Sequence, residues 1–341
     1  MKTNQKENKL WWLAAGAAAL MAGVAVYRKL TSYDFNGRVV LITGGSRGLG
    51  LVMARQLARE GARLVLCSRD ANELENARME LAGNGADVLV TKCDVTSEEQ
   101  VNSMITNVQN EFGPIDVLIN NAGVIHAGPV AEMTIDDFKE SMDTHFWGPL
   151  YTILAVLPAM KARGEGRILN ISSIGGKISV PHLVPYSASK FALTGLSEGL
   201  RAELAKYNIT ITTATPGLMR TGSPRHAIVK GRHKEEYALF KIMDSSVLTS
   251  KSAEASAAKI IDALRYGEAE VTTTLPAIVA EYLHNLSPGL MNSVFSAVNS
   301  ILPGEGGIGK NRAKGYESET ELSMSGLTER TQKAAARNNE L

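Results

Sequence analysis

Arg38-Val-Val-Leu-Ile-Thr-Gly-Gly-Ser-Arg-Gly-Leu-Gly50 reads as a buried strand, a glycine-rich turn and the start of a helix. The run from Val39 to Ile42 is apolar without alternation, so both faces of this strand need cover. Glycines at 44, 45, 48 and 50 let the backbone come close to a pyrophosphate, which would rest on the free N–H groups of the helix running to about Glu60. A bare glycine triplet is weak evidence. This one follows a strand, opens a helix and begins the sheet, which makes Gly44, Ser46, Arg47, Gly48, Leu49 and Gly50 candidate dinucleotide-binding residues.

Outward from this unit, strands and helices alternate. RLVLCS (63–68), DVLVTKC (87–93), IDVLIN (115–120), RILNISS (167–173) and ITITTAT (209–215) read as further strands. Helical stretches lie between them, one with Asp70 as its cap, others at about 97–112, 134–162 and 185–207. A helix at about 251–266 and the short strand AEVTTT (269–274) complete the sheet. The alternation predicts one α/β domain over 37–274, a doubly wound parallel sheet with helices on both faces and binding sites at the strands' carboxyl ends. Asp94-Val95, Asn121-Ala122-Gly123 and Pro216-Gly217 all fall at such ends. At the end of the second strand, a carboxylate would bind a ribose 2′-hydroxyl. Ser68-Arg69 stands there instead, with Arg47 nearby, and two guanidiniums suit a 2′-phosphate. The expected cofactor is therefore NADP(H).

Tyr186 and Lys190, four apart on a helix, share a face. There the ammonium can favour the charged phenol and lower its pKa, fitting Tyr186 to exchange a proton with a substrate oxygen. The Ser173 hydroxyl, at the end of the strand before, could hold the same oxygen. Ser172 is turned to the other face by strand alternation. Taken alone, the Tyr/Lys pair is weak, and its weight comes from the motifs around it.

The 341-residue chain has a formal charge of +1, which argues against a general nucleic-acid binder. Cys67 and Cys93 sit in apolar strand-like runs and read as reduced core residues. No Cys/His cluster has metal-ligand spacing, so no metal is expected. After a polar stretch at 1–9, Leu10 to Tyr27 carries no charge, opens with Trp11 and Trp12, and is closed by Arg28 and Lys29. As a helix it would span roughly 27 Å, just short of the ~30 Å hydrocarbon core. A membrane-anchor helix over 10–29 is the favoured reading, against a cleaved signal (Gly23 and Ala25 as the small-residue site) or a peripheral helix. Flanking charges nearly balance and do not set the orientation. The expected location is a membrane, single-pass or peripheral, with the catalytic domain facing the cytoplasm. Residues 218–250 are basic and read as a solvated mobile loop, with a lid for an anionic handle as the alternative. Residues 275–303 are apolar with helical spacing. That segment suits substrate entry or rest on a membrane, packing on the sheet, or a homo-oligomer contact. Residues 304–341 are expected to be disordered. His126, His226 and His233 read as surface histidines.

Together these residues resemble the short-chain dehydrogenase/reductase family. The resemblance rests on Thr43-Gly-Gly-Ser-Arg-Gly-Leu-Gly50, Asp94, Asn120-Asn-Ala-Gly123, Ser173, Tyr186-x-x-x-Lys190 and Pro216-Gly217 through Thr221. It implies a Rossmann-type domain in which Asp94 meets the adenine amino group and the 120–123 turn lines the cofactor. Lys190 would bind the nicotinamide ribose hydroxyls, and Pro216, Gly217 and Thr221 the carboxamide. One position departs: the family's Asn-x-x-Gly in the central helix is His145-Phe-Trp-Gly148 here. A histidine thus stands where the family uses an asparagine to hold a relay water, and imidazole can also donate and accept. The function expected is NADP(H)-dependent interconversion of a carbonyl and an alcohol on a hydrophobic substrate such as a steroid, retinoid or lipid intermediate. The alternatives are a low-turnover NADPH-binding sensor or scaffold and a 3-oxoacyl-type reductase.

Overall fold

The computed structural model describes Gly23 and residues 32–341. Apart from Gly23, the expected anchor at 10–29 and the polar stretch at 1–9 lie outside these residues. Among the described residues no helix is long and apolar enough to cross a membrane. Contacts divide the chain into two units, Met1–Asp34 and Phe35–Leu341, and the second is the one described here.

Seven parallel strands form the main sheet: β1 (Val39–Thr43), β2 (Arg63–Ser68), β3 (Val88–Lys92), β4 (Val117–Asn120), β5 (Gly166–Ile171), β6 (Ile209–Thr215) and β7 (Glu270–Thr272). Their order across the sheet is β3-β2-β1-β4-β5-β6-β7. Every residue of β1 is buried, as its unbroken apolar run requires. The chain reverses its winding between β1 and β4, and the crevice at their carboxyl ends is where such sheets bind ligands.

Helices α1 (Gly48–Arg59), α2 (Ala71–Gly83), α3 (Glu98–Glu111), α4 (Ile135–Met142), α5 (Gly148–Arg163), α6 (Val184–Leu204), α7 (His233–Ser245) and α8 (Ala253–Tyr266) follow in chain order. One core joins Leu41, Val65, Leu118 and Ile168 of the sheet to Val101 and Met104 of α3, Ile153 and Val156 of α5 and Leu204 of α6. On the sheet, α1 and α8 pack against each other. Asp70 caps α2 as the sequence indicates, accepting from the N–H groups of Asn72 and Glu73. Cys67 and Cys93 are free and buried. The stretch expected as one helix over 134–162 is broken. Between α4 and α5 a π turn runs from Asp143 to Trp147, closed by the Gly148 N–H on the Asp143 carbonyl. Such turns are frequent at functional sites, and this one carries His145.

Two expectations past residue 217 are corrected. Residues 218–250 are not a solvated loop. They contain α7, and their basic residues include buried Lys230, paired with Asp137, and buried Lys241, beside Glu319. The stretch 304–341 is ordered. Ala313–Lys314 pairs antiparallel with Ile228–Val229, which pairs in turn with His126–Ala127, making a second small sheet. The apolar segment at 275–303 forms two helices, α9 (Leu275–Leu286) and α10 (Pro288–Asn299), that bury little beyond Ala277 and Met291. It therefore does not pack on the sheet as a core element. The last helix, α11 (Glu329–Arg337), buries Thr331, Ala334 and Ala335. Small and polar side chains hold this tail down, so it lacks the apolar periodicity that would reveal it.

Candidate active site

The turn after β1 and the turn after β4 are built against each other. Gly44 has φ +62, and a Cβ there would stand 2.9 Å from the Ala122 Cα. A Cβ on Gly50 would stand 2.2 Å from the Gly44 carbonyl oxygen. Only glycine permits either approach. Asn121 Nδ2 donates to the carbonyls of Thr43 and Gly44 at 3.1 and 2.9 Å, and Thr43 Oγ1 accepts from the N–H groups of Asn121 and Ala122. Asn121 is thus a brace between the two turns.

A cavity of about 670 Å³ opens over these turns. Of the residues singled out in the sequence, Gly44, Ser46, Arg47, Gly48, Leu49, Ser68, Arg69, Asp94, Val95, Asn121, Ala122, Gly123, His145, Tyr186, Lys190 and Pro216 line it. Gly50, Ser173, Gly217 and Thr221 do not. Gly50 sits behind the turn. Gly217 packs on Thr274, and Thr221 bonds its own Ser223. The set fits a dinucleotide: a glycine cradle at a helix start, an asparagine-braced turn, and cations at one end.

At that end the two guanidiniums differ. Arg47 is paired with Glu73, which also accepts from Ser46 Oγ at 2.9 Å. Arg69 is exposed and makes no hydrogen bond or ion pair among the described residues. Of the two guanidiniums that the sequence places at this end, Arg47 is thus held by a carboxylate and Arg69 is not. A third cation, Lys314, lines the same cavity, and the charges of Arg312, Arg69 and Arg47 add to burial in lowering its pKa. Asp94 lines the cavity with Oδ1 accepting from the Thr96 N–H and hydroxyl at 3.0 and 2.9 Å.

At the other end, α6 presents Tyr186 and Lys190. Lys190 is 4% exposed; its Nζ donates to the Ile171 carbonyl at 2.8 Å and lies 5.7 Å from the Tyr186 ring centre. Burial brings its pKa down to about 7. Burial also pushes the Tyr186 phenol above its ordinary value, and the Ser173 hydroxyl opposes this in part. The expected lowering of the phenol by Lys190 is therefore not what the protein groups do by themselves, because desolvation disfavours both charges. Ser173 and Tyr186 flank Gly175: a Cβ there would lie 3.4 Å from Ser173 Oγ and 3.2 Å from a Tyr186 ring carbon. Ser172 Oγ meets the Lys190 carbonyl and Thr194 Oγ1, facing the helix.

His145 is 1% exposed and packs edge-on to the Tyr186 ring, with centroids 5.4 Å apart. The Val124 N–H donates to its Nε2 at 3.1 Å. Its Nδ1 therefore carries the proton and meets Ser189 Oγ at 2.8 Å, and Ser189 Oγ donates to the Tyr186 carbonyl at 2.8 Å. Burial and the Lys190 charge hold its pKa well below 6.5. Both ring nitrogens are thus used inside the protein.

The substrate side is more mixed than its sequence indicates. Apolar Val124 and Ile125 line the cavity, whereas the nearby Ile174, His182, Leu183 and Val184 do not. Glu140, His226, Lys314 and Tyr316 line it too. His126 is no surface histidine: it is fully buried, with Ser141 Oγ at 3.0 Å and Glu140 at 3.3 Å, and with Arg312 it holds the Glu140 carboxyl down to about 2. His226 lies at about 4 through burial and the Arg47 charge. Sequence reasoning missed Glu73, Lys314 and Glu340, which also reaches the cavity. Their partners are far away in the chain, and no local spacing marks them.

Known proteins extend this picture. A family model described as short chain dehydrogenase matches residues 38–228. A dehydrogenase/reductase SDR family member 7B of Bos taurus is 37% identical over 74% of this chain and 78% of its own. The putative ketoacyl reductase 1 of the granaticin polyketide synthase, from Streptomyces violaceoruber, is 40% identical over 54% of this chain and 68% of its own. Among solved structures, a gluconate 5-dehydrogenase from Burkholderia cenocepacia with NADP and tartrate has a TM-score of 0.65 at 26% identity, covering 74% of this chain and 99% of its own. An actinorhodin polyketide ketoreductase with NADPH has a TM-score of 0.62 at 30% identity, covering 69% and 95%. The glycine turn at the β1/β4 crossover, the tyrosine and lysine on α6, and these matches lead to one conclusion: the chain belongs to the short-chain dehydrogenase family.

Proposed function

We propose that the chain is an NADP(H)-dependent oxidoreductase that interconverts a carbonyl and a primary or secondary alcohol, with Tyr186 as general acid/base. Gly44, Ser46, Gly48 and Leu49 would hold the pyrophosphate, Arg69 and Lys314 the 2′-phosphate, and Lys190 the nicotinamide ribose. When bound, the cofactor supplies or accepts the hydride. In the reducing direction Tyr186 Oη gives its proton to the carbonyl oxygen, and the Ser173 hydroxyl donates a hydrogen bond to that oxygen. Lys190 stabilises the phenolate that results, and the His145–Ser189 pair holds the first turn of α6 in place. The observation that carries this reading is Tyr186 and Lys190 on the wall of a glycine-cradled cavity, with Ser173 beside Tyr186 and, at the far end, an arginine unpaired among the described residues. NADP and NADPH in the solved relatives support the cofactor.

The substrate reading remains a hydrophobic carbonyl compound of steroid, retinoid or lipid type. Val124 and Ile125 support it, as does the uncharged run at Leu10–Tyr27, which suits a membrane anchor. A second reading, a 3-oxoacyl-type reductase, draws on the ketoacyl reductases among the relatives and on Lys314 and His226 in the cavity wall. Steady-state assays of both coenzymes against lipophilic ketones, aldehydes and 3-oxoacyl thioesters test this. Turnover with NADPH well above NADH is expected. Preference for NADH, or no turnover on any carbonyl, would overturn the reading.

A further inference from the structure

The last residues of the sequence come to rest on the glycine turn. The Gly48 N–H, first in α1, donates to the Asn338 carbonyl at 2.9 Å. Asn339 Nδ2 donates to the carbonyls of Ser46 and Glu73, each at 3.0 Å. The Glu340 carboxylate accepts the Gly222 N–H, and one of its oxygens lies 3.1 Å from where a Cβ on Gly48 would stand. Glu340 is 3% exposed. Arg55 of α1 secures the approach, donating to Asn338 Oδ1 at 2.9 Å and the Arg337 carbonyl at 2.7 Å.

A carboxylate at the start of this helix, with a carbonyl on its first N–H, stands where the pyrophosphate of a dinucleotide would bind. One N–H cannot serve both Asn338 and a phosphate oxygen. We propose that Asn338–Glu340 is a built-in competitor for the pyrophosphate subsite, so that a dinucleotide enters only as this segment leaves. The proposal rests on the dinucleotide reading of the cavity.

The seat is a costly one for the carboxylate. Burial, with the nearby Glu73 charge, raises its pKa to about 7 against the pull of the Gly222 N–H, Arg47 and Arg225. A charge held at such cost is readily exchanged for a ligand that satisfies the same N–H groups better. Because Glu340 also holds Gly222, its departure frees the chain that follows Pro216, tying entry at the phosphate end to the loop at the nicotinamide end.

Two measurements test this. The first is amide hydrogen exchange of the full chain with and without NADPH. Residues 44–50 should become more protected and residues 329–341 less. Retained or increased protection at 329–341 with NADPH bound overturns the proposal. The second is the NADPH dissociation constant of the full chain, of Glu340→Ala and of a variant lacking 338–341. Removing a competing state raises apparent affinity by the reciprocal of the open fraction, and a gain of about tenfold is expected for the deletion. Unchanged or weaker binding overturns the proposal and makes the segment part of the cofactor's wall. No NADPH binding by any of the three overturns the cofactor reading itself, and this proposal with it.

Discussion

Lys190 Nζ donates to the Ile171 carbonyl, and His145 is held between the Val124 N–H and Ser189 Oγ, so each is fixed by its immediate neighbours. The positions of Tyr186 and Lys190 were legible because helix spacing is local. The direction of their pKa values was not, because desolvation depends on everything packed around them. The same contrast holds for the arginines. Arg47 and Arg69 could be placed by strand and turn, but Glu73, which claims Arg47, stands 26 residues away. On the proposed NADP(H) reading Arg69 would be the main grip on the 2′-phosphate, and a charge-assisted bond of roughly 1.5–3 kcal/mol is at stake. Arg69→Ser should raise the Kd for NADPH by about 10- to 100-fold and leave that for NADH nearly unchanged, by fluorescence titration. Equal weakening of both would show that Arg69 does not read the phosphate. His145→Ala leaves the Val124 N–H without its acceptor and should cost roughly 1–3 kcal/mol in urea unfolding. Since His145 stays neutral, His145→Asn should not move the limbs of the pH profile of kcat/KM; a displaced limb would restore a relay role.

Among elements, central strands such as β1, β2 and β4 were readable because parallel strands buried on both faces are continuous apolar runs. The second sheet was not, since strands of two residues, such as Ala313–Lys314, are too short to show a period. The ordered tail escaped for a related reason: α11 faces the protein with threonine and alanine. Its last turn leads to Glu340, whose carboxyl goes from 4.5 to about 7 on folding. The folded state therefore holds a proton that the unfolded chain releases between those values. Stability from this group is present below pH 4.5 and lost as pH rises through about 7. The shift corresponds to roughly 3 kcal/mol at most. Glu340→Gln lacks this titration, so its Tm relative to the parent should rise from pH 5 to pH 8. A constant difference would show that Glu340 is not held protonated.

At the scale of the molecule, the unit Phe35–Leu341 carries its own core, and α9 and α10 expose Leu275, Tyr282, Leu286 and Leu290 on its surface. The full chain should float with phospholipid vesicles and resist carbonate extraction. Deleting residues 1–30 should abolish that resistance while leaving Tm within about 2 °C, since the unit Phe35–Leu341 carries its own core. Resistance that survives the deletion would move the membrane contact elsewhere. The claim on which all of this depends is proton transfer by Tyr186 beside a bound nicotinamide. The most direct test compares NADPH consumption by the parent and by Tyr186→Phe on the best carbonyl substrate, with NADPH affinity measured in both. General acid catalysis contributes about 10²- to 10⁴-fold, so kcat should fall by that factor with NADPH affinity preserved, whereas parental turnover by Tyr186→Phe would contradict the account.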